Sequence, residues 1–526
     1  MPDADWRLSL RRYLMAPANR IFLAITCATV PVFLCAAAPP PDGAPVTSAH
    51  GAPGCAGLAP HACIGIALEA MGGANRLAGV RTARYAIIGH REEAEQSYRQ
   101  APFQIEYGRE TRIVDYRHGA VDRVHESIFP STAPDENINK THVVVSAAGA
   151  VMKTPGGDRP AARQTREQGD DILHDEPMMV LQAAAKAPDL RYAAPEWLHA
   201  APHTVVTFTD HGQTVRLVLN AGSHLPDAIE RTRTFEDFWN VWGDVDQRIY
   251  LDSWQDVGGV LFPASRVDQR NGLETAHEQY LDVRFDPALA SDAFSVDSAA
   301  AAESLRSPGW ERPFPPQAQT IVPGVWLFQG AWNVSVIEQD DGLILLEAPI
   351  SASYTAQALD AAAHLVPGKP IKAVISTTDS WPHVAGLREA VARGIPVYQL
   401  DLNRPLLDRL IAAPHILRPD DLARHPRPPQ WHMVNQVLAI PSRHNPIMLI
   451  PICGPSTERQ YMVYWPDAKL LYASDTLVLN PDNSLYNPEL MHEVETAVAR
   501  AHIAPQTVYA MHQAPMPWGR AIGMVP

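Results

Sequence analysis

The sequence predicts an α+β fold in two parts, an antiparallel β-rich N-terminal domain followed by a mixed C-terminal domain. Three observations carry this. Short alternating strand patterns recur from Val80 to Val296 with little helical periodicity between them. From Ile321 onward, strand and helix patterns are interleaved. Between them, Ser307 to Gln317 holds four prolines, the composition of a boundary. A chain of 526 residues is too long for one core. The expected divisions are an export segment over 1–38, a flexible linker over 39–63, a β-rich domain over 64–300, a proline-rich linker over 301–320 and the second domain over 321–526.

The export segment rests on Arg7, Arg11, Arg12 and Arg20 ahead of an apolar stretch from Ile21 to Ala38 that closes on Cys35-Ala36-Ala37-Ala38. A basic start, an apolar middle and small residues at the end describe a cleaved signal peptide. An uncleaved anchor is the alternative, disfavoured by Pro31 and by the short apolar run. The expected location is periplasmic or secreted, with membrane contact only through this segment if it is retained. Pro39 to Pro60, rich in Pro, Ala and Gly, reads as a tether. A hydrophobic content of 46% with 19% charged residues fits a globular protein. A formal net charge of -15 argues against nucleic acid as a partner, since that surface attracts basic patches. Of five cysteines, Cys27 and Cys35 fall in the export segment. Cys55 and Cys63 lie close enough in sequence to pair, and Cys453 stands alone.

In the β-rich part a helix is expected from Ile64 to Leu77, interrupted at Gly72-Gly73. Strands fit Ala83 to Ile88, Thr111 to Tyr116, Asp246 to Trp254 and Gly259 to Pro263. His203 to Phe208 and Thr214 to Leu219 flank the turn Asp210-His211-Gly212-Gln213 and form a hairpin. A helix crosses at Pro177 to Ala187, where Met178, Leu181 and Ala185 recur at helical spacing. Trp239, Trp242 and Trp254 are core residues first and an apolar ligand pocket second. In the second part, Asn333 to Glu338 and Leu343 to Pro349 make a hairpin across Asp340-Asp341-Gly342. A helix follows from Tyr354 to Leu365, and another spans Glu489 to Ala501.

The most informative segment is Thr377-Thr378-Asp379-Ser380-Trp381-Pro382-His383. A strand pattern, Ile371 to Ser376, leads into it. A helix, Gly386 to Gly394, leads out, and a second strand starts at Ile395. This order resembles the signature of the metallo-β-lactamase superfamily, whose loop reads Thr-His-x-His-x-Asp-His-x-Gly-Gly. Thr377, His383 and Gly386 match. Thr378 and Ser380 stand at the two leading histidines, Pro382 at the aspartate and Ala385 at one glycine. The resemblance covers Ile321 to Trp518 and implies an αββα sandwich. More loosely, the helix, hairpins and Asp256-to-Pro263 segment of the first part resemble the β-rich domain ahead of secreted members, which is similar to the curved sheet and helix of lipoprotein-carrier proteins.

The resemblance implies two adjacent metals. On this chain the first position is dismantled, because Thr378, Ser380 and Ser456 replace its histidines and neutral hydroxyls bind Zn²⁺ poorly. Cys453 is a soft-ligand candidate there, with a buried structural role favoured. The second position keeps His383, the bridging Asp475 and the last histidine, His512. These three are the candidate metal ligands, and Asp475 and His383 the candidate catalytic residues. Asp379 falls between the former histidine positions and is expected to point away. His432 and His444 are candidates for the cleft wall, and His492 for a solvent-facing helix edge.

Two readings stay open. One is an exported hydrolase with at most one divalent metal, Zn²⁺ or another, activating water against an ester, amide, thioester or lactone. The other is an inactive member with no metal, whose residues satisfy each other and whose fold binds a small-molecule or apolar ligand or a protein. Whether the chain is an enzyme at all is left undecided by sequence. No Gly-x-Ser-x-Gly, phosphate loop, dinucleotide fingerprint or Cys-x-x-Cys is present.

Overall fold

A computed structural model describes residues 51–100, 102–128 and 138–525. The expected export segment, with Cys27 and Cys35, and the first part of the tether lie outside the described residues. From residue 51 the chain is packed: Ala52 and Cys55 are buried, and Cys55 is disulfide-bonded to Cys63.

The N-terminal half is built on a fourteen-stranded sheet. Its centre is the antiparallel pair Thr82–Glu92 and Leu273–Phe285, and antiparallel strands extend outward on both sides. Ala83, Tyr85 and Ile87 are buried at every second position, the signature of a strand with one covered face. The helices Pro60–Met71 and Pro177–Lys186 cover part of the sheet. Ile64, Met71, Leu181 and Ala184 meet Val206, Phe208, Leu217 and Ile249. The expected first helix is split as its sequence suggests. Pro60–Met71 stops at Gly72 and Gly73, at φ of +136° and +94°, and Ala74–Gly79 restarts it. A side chain at Gly72 would also strike the Gly259 carbonyl, 2.4 Å from its Cβ.

One helix, Arg163–His174, had no sequence signal. It buries only Gly169 and Leu173, so no apolar period exists to find. Ion pairs from Arg233 to Glu167 at 2.8 Å and to Asp171 at 2.5 Å tie it to the sheet.

The C-terminal half pairs two sheets. The first has seven strands, the first four antiparallel (Gln319–Val322, Val325–Phe328, Val334–Gln339, Gly342–Leu346). Ile371–Ile375, Val397–Leu400 and Trp431–Val434 then add in parallel. The second has six strands, with Tyr461–Trp465 and Leu470–Tyr472 near its middle. Val325, Leu327, Ile344, Leu346 and Ile375 face Leu449, Val463, Trp465 and Tyr509 between the sheets. Helices Ala352–Leu365, Leu387–Ala392 and Arg404–Ala412 cover the outer face of the first sheet. Pro488–Arg500 and Trp518–Ile522 cover the outer face of the second. This is the αββα layering that the resemblance implies. It explains why Leu343–Leu346 is apolar without alternation: both faces are buried.

The hydrophobic core does not stop between the halves. Trp239 and Trp242 stand edge-on to Trp381, at ring separations of 4.8 and 5.1 Å. Trp310 and Phe314, from the proline-rich segment, are buried in the same cluster as Val334, Tyr354 and Leu387.

Candidate metal centre

His383, Asp475 and His512 come from three separate stretches of chain, and the fold brings them together. His383 sits in the short helix Trp381–Val384, just past the end of the strand Ile371–Ile375. Asp475 follows the strand Leu470–Tyr472, and His512 follows Thr507–Tyr509. The strands end on one edge of the sandwich, and one potential ligand atom from each residue lies within 4.8 Å of the others. His383 Nδ1 is 3.6 Å from Asp475 Oδ2, and His512 Nε2 is 3.3 Å from Asp475 Oδ1. Ligands at the usual 2.0–2.1 Å from a tetrahedral Zn²⁺ are separated by roughly 3.3–3.4 Å, and each histidine stands near that distance from one of the two Asp475 oxygens.

His383 supplies a sharper observation. Its side chain is fully buried, and neither ring nitrogen has a hydrogen-bond partner. Buried polar atoms are nearly always satisfied, so an orphaned imidazole calls for an explanation. Burial pushes its pKa down to about 4, which leaves it neutral at pH 7 with a free lone pair. Asp475 is partly buried, with 21% of its side chain exposed; desolvation raises its pKa, but His383 and His512 outweigh that and hold the carboxylate below its usual range. His512 Nδ1 donates to the Ala331 carbonyl at 2.6 Å, which fixes the ring's orientation and turns Nε2 toward Asp475; against the pull of burial, the Asp475 carboxylate raises the His512 pKa. The donor set of two imidazoles and one carboxylate, with one imidazole held in orientation, fits a single divalent ion with open positions.

The backbone is strained to build this edge. Ser474, just before Asp475, has φ of +58°, and Glu347, at the end of the strand Gly342–Leu346, has φ of +76°. Non-glycine residues held there cost about 1–3 kcal/mol each and gather at functional sites. Gly386 has another role: a Cβ there would lie 1.9 Å from Thr355 Oγ1, so only glycine lets the signature helix close on its neighbour.

The three residues sit beside a cleft of about 690 Å³ that is lined by Asp475 and His512. Thr378, Ser380 and Ser456, at the positions of the missing histidines, line it too. Asp379 does not point away as expected. It is buried on the cleft wall, accepts from Gln100 Nε2 at 2.6 Å and lies 3.8 Å from Arg459 Nε. Burial pushes its pKa up to about 6 against the pull of Arg459. His432 and His444 are not cleft residues: His432 stacks on Tyr398 and His444 pairs with Asp340 on the surface. Cys453 is exposed rather than buried, because its left-handed backbone at φ of +57° turns it outward after buried Ile452. His492 is exposed on its helix, as expected.

Sequence reasoning missed the part of the cleft that comes from the other half. The segment between the strands Thr82–Glu92 and Ile105–Asp115 reaches over the site. Glu93, Gln96, Ser97 and Tyr98 line the cleft, the Glu95 carbonyl accepts from Trp381 N at 2.9 Å, and Tyr98 donates to Glu489 at 3.0 Å. The run Glu92-Glu93-Ala94-Glu95-Gln96-Ser97, polar and without alternation, was the available signal.

The layers and the three-residue centre together define a two-sheet sandwich with a candidate metal group at its strand ends. No family model matches the chain, and no curated protein matches it. Among solved structures, it is similar to the stereoselective inverting sec-alkylsulfatase from Pseudomonas sp., at 15% identity and a TM-score of 0.29 over 39% of each chain. The match therefore spans well under half of that enzyme. It is also similar to a metallo-β-lactamase from Pseudomonas aeruginosa in its mono-zinc form, at 15% identity and a TM-score of 0.30 over 41% of this chain and 93% of the other. A third likeness is to a metallo-β-lactamase from Pontibacter korlensis, at 13% identity and a TM-score of 0.32 over 40% of this chain and 98% of the other. Likenesses at this level bear no weight on substrate or mechanism.

Proposed function

We propose that this protein is an exported, hydrolase-like protein of the metallo-β-lactamase fold that holds one divalent metal ion, Zn²⁺ in the first instance, on His383, Asp475 and His512. The observation that carries this is the fully buried His383 with both ring nitrogens unpartnered, facing a carboxylate and an imidazole held in orientation. A pair of polar groups that merely satisfied each other would leave neither nitrogen orphaned. When bound, such an ion lowers the pKa of a water toward neutrality and polarises a carbonyl. The chain supplies the rest. Asp475 faces both histidines, and the Ala331 carbonyl orients the His512 ring. Asp379, with its pKa near 6 on the cleft wall, is placed to carry a proton to a leaving group. The substrate is a small molecule with an ester, amide, thioester or lactone bond. The location is periplasmic or secreted, and the N-terminal sheet with its covering helices recruits or shields an apolar part of the ligand.

The alternative, a metal-free binding module, draws on the loss of the first position to Thr378, Ser380 and Ser456. Metal analysis of dialysed protein separates the two. His383→Ala and His512→Ala are each expected to remove the same single equivalent and to abolish hydrolysis of a carboxylic-ester panel. Metal retained at the wild-type level in either variant discards the three-residue site, and loss of two equivalents from one substitution shows a binuclear centre instead.

A further inference from the structure

The N-terminal sheet carries a second cluster of metal-ligating side chains, far along the chain from the cleft residues of the sandwich. His90 and His277 occupy directly opposed positions on the central antiparallel pair, and their rings meet edge-to-face at 5.5 Å. Glu274 joins them, and one potential ligand atom from each of the three lies within 4.8 Å of the others. All three are half-buried, open to solvent on one side.

Simple alternation would not produce this group. Glu274 and His277 are three residues apart on one strand, and a regular strand would aim them at opposite faces. The register shows how they come to share one. Asp268 pairs with Ala276 and Gln269 with Glu274, so Thr275 is an extra residue, a bulge. The bulged Thr275 is buried and donates to the Asp268 carbonyl at 3.1 Å, which anchors the irregularity. Bulges re-aim side chains, and this one delivers a carboxylate to a pair of imidazoles.

The spacing is that of ligands around an ion rather than of a bonded pair. His90 Nε2 stands 3.4 Å from Glu274 Oε1, beyond the usual 2.7–3.2 Å of an N–H···O bond. It matches the roughly 3.3–3.4 Å edge of a tetrahedron with ligands about 2.0–2.1 Å from Zn²⁺. Ser265 Oγ lies 3.1 Å from His277 Nε2 and can hold one ring proton, the supporting contact that metal-bound histidines ordinarily have.

We propose that His90, His277 and Glu274 form a second site for a borderline divalent cation, Zn²⁺ or Cu²⁺, that operates independently of the cleft. It binds more weakly than the buried centre, because its ligands are half-exposed and the remaining positions are open to water.

The test uses the full chain stripped of metal and carrying His383→Ala, so that the cleft centre is silent. Titration with Zn²⁺ by calorimetry is expected to show one equivalent, lost on adding His277→Ala or His90→Ala. Glu274→Gln, which keeps the side-chain shape, is expected to weaken it at least about tenfold. With Cu²⁺ as probe, the electron paramagnetic resonance spectrum is expected to show hyperfine coupling to two imidazole nitrogens, falling to one with His277→Ala. No zinc bound by the His383→Ala protein overturns the proposal. So does a stoichiometry unchanged by His277→Ala, or a copper spectrum without nitrogen coupling.

Discussion

Glu347 shows how a single residue can carry a testable cost. It lies at 0% exposure beneath the edge that carries the candidate metal ligands, and Thr377 Oγ1 donates to its Oε1 at 2.5 Å. Burial drives its pKa up to about 8, against the opposing Thr377 hydroxyl, so the folded protein carries it protonated at pH 7. The sign follows from linkage. The folded state binds this proton more tightly than the unfolded state, whose carboxyl titrates near about 4.3. Stability from this group is therefore complete below about 4.3 and is lost as pH rises toward about 8. Glu347→Gln keeps the shape and the neutral charge, so it is expected to change stability by less than about 1 kcal/mol below pH about 4.3, to exceed wild type by roughly 2 kcal/mol at pH 6, and to flatten this decline. Urea midpoints at pH 5 and pH 8 check it. An equal decline in the variant would show that Glu347 does not titrate in that window. Glu347→Ala differs in kind, since it strands the buried Thr377 N–H, which donates to Glu347 Oε1 at 3.3 Å, at a cost of about 1–3 kcal/mol.

At the scale of elements, the signature loop is held from both sides. Trp381 opens the helix that bears His383, is buried, and contacts Trp239 and Trp242 of the short turn Phe238–Trp242. Its backbone N–H is taken by the Glu95 carbonyl. Trp381→Ala is expected to lower stability by about 3–5 kcal/mol, the range for deleting a buried aromatic. It is also expected to lower metal occupancy, since His383 then loses its supporting packing; Trp239→Ala should reproduce part of both effects. Full metal retention in a destabilised Trp381→Ala protein would separate the tryptophan cluster from the site. The same element shows what sequence could and could not say. The strand, loop and helix around His383 were legible because hydrophobic runs and Gly386 leave a local pattern. The hairpins at Gly212 and Gly342 were legible for the same reason. The contact of Gln100 with Asp379 spans 279 positions and rests on polar residues with no period, so nothing local announced it. Trp239 and Trp242 were legible as core residues, but not as packing partners of a loop about 140 residues on.

At the scale of the whole molecule, the two halves share one apolar cluster. Phe235, Trp239, Val241 and Trp242 from the first half, and Trp310 and Phe314 from the proline-rich segment, pack with Val336, Tyr354 and Leu387 of the second. Ion pairs and hydrogen bonds reinforce the contact: Arg418 meets Glu236 at 3.0 Å, and Ile416 N donates to Asp244 at 2.7 Å. Burying an aromatic side chain contributes about 1.5–3 kcal/mol, so Phe235, Trp239, Trp242, Trp310 and Phe314 together contribute roughly 7–15 kcal/mol, comparable with the whole net stability of a typical domain, about 5–15 kcal/mol. Two consequences follow. Chemical unfolding of residues 51–526 is expected to give one transition, with tryptophan fluorescence and far-ultraviolet circular dichroism losing signal at the same denaturant concentration. The second half expressed alone, from residue 318, is expected to be poorly soluble and to bind a hydrophobic dye, because Trp381, Val384 and Leu387 lose their cover. A soluble, metal-binding fragment with a sharp transition of its own would show instead that the shared cluster is a docking contact between two independent folds, and that the segment over the cleft is an accessory to a site already complete without it.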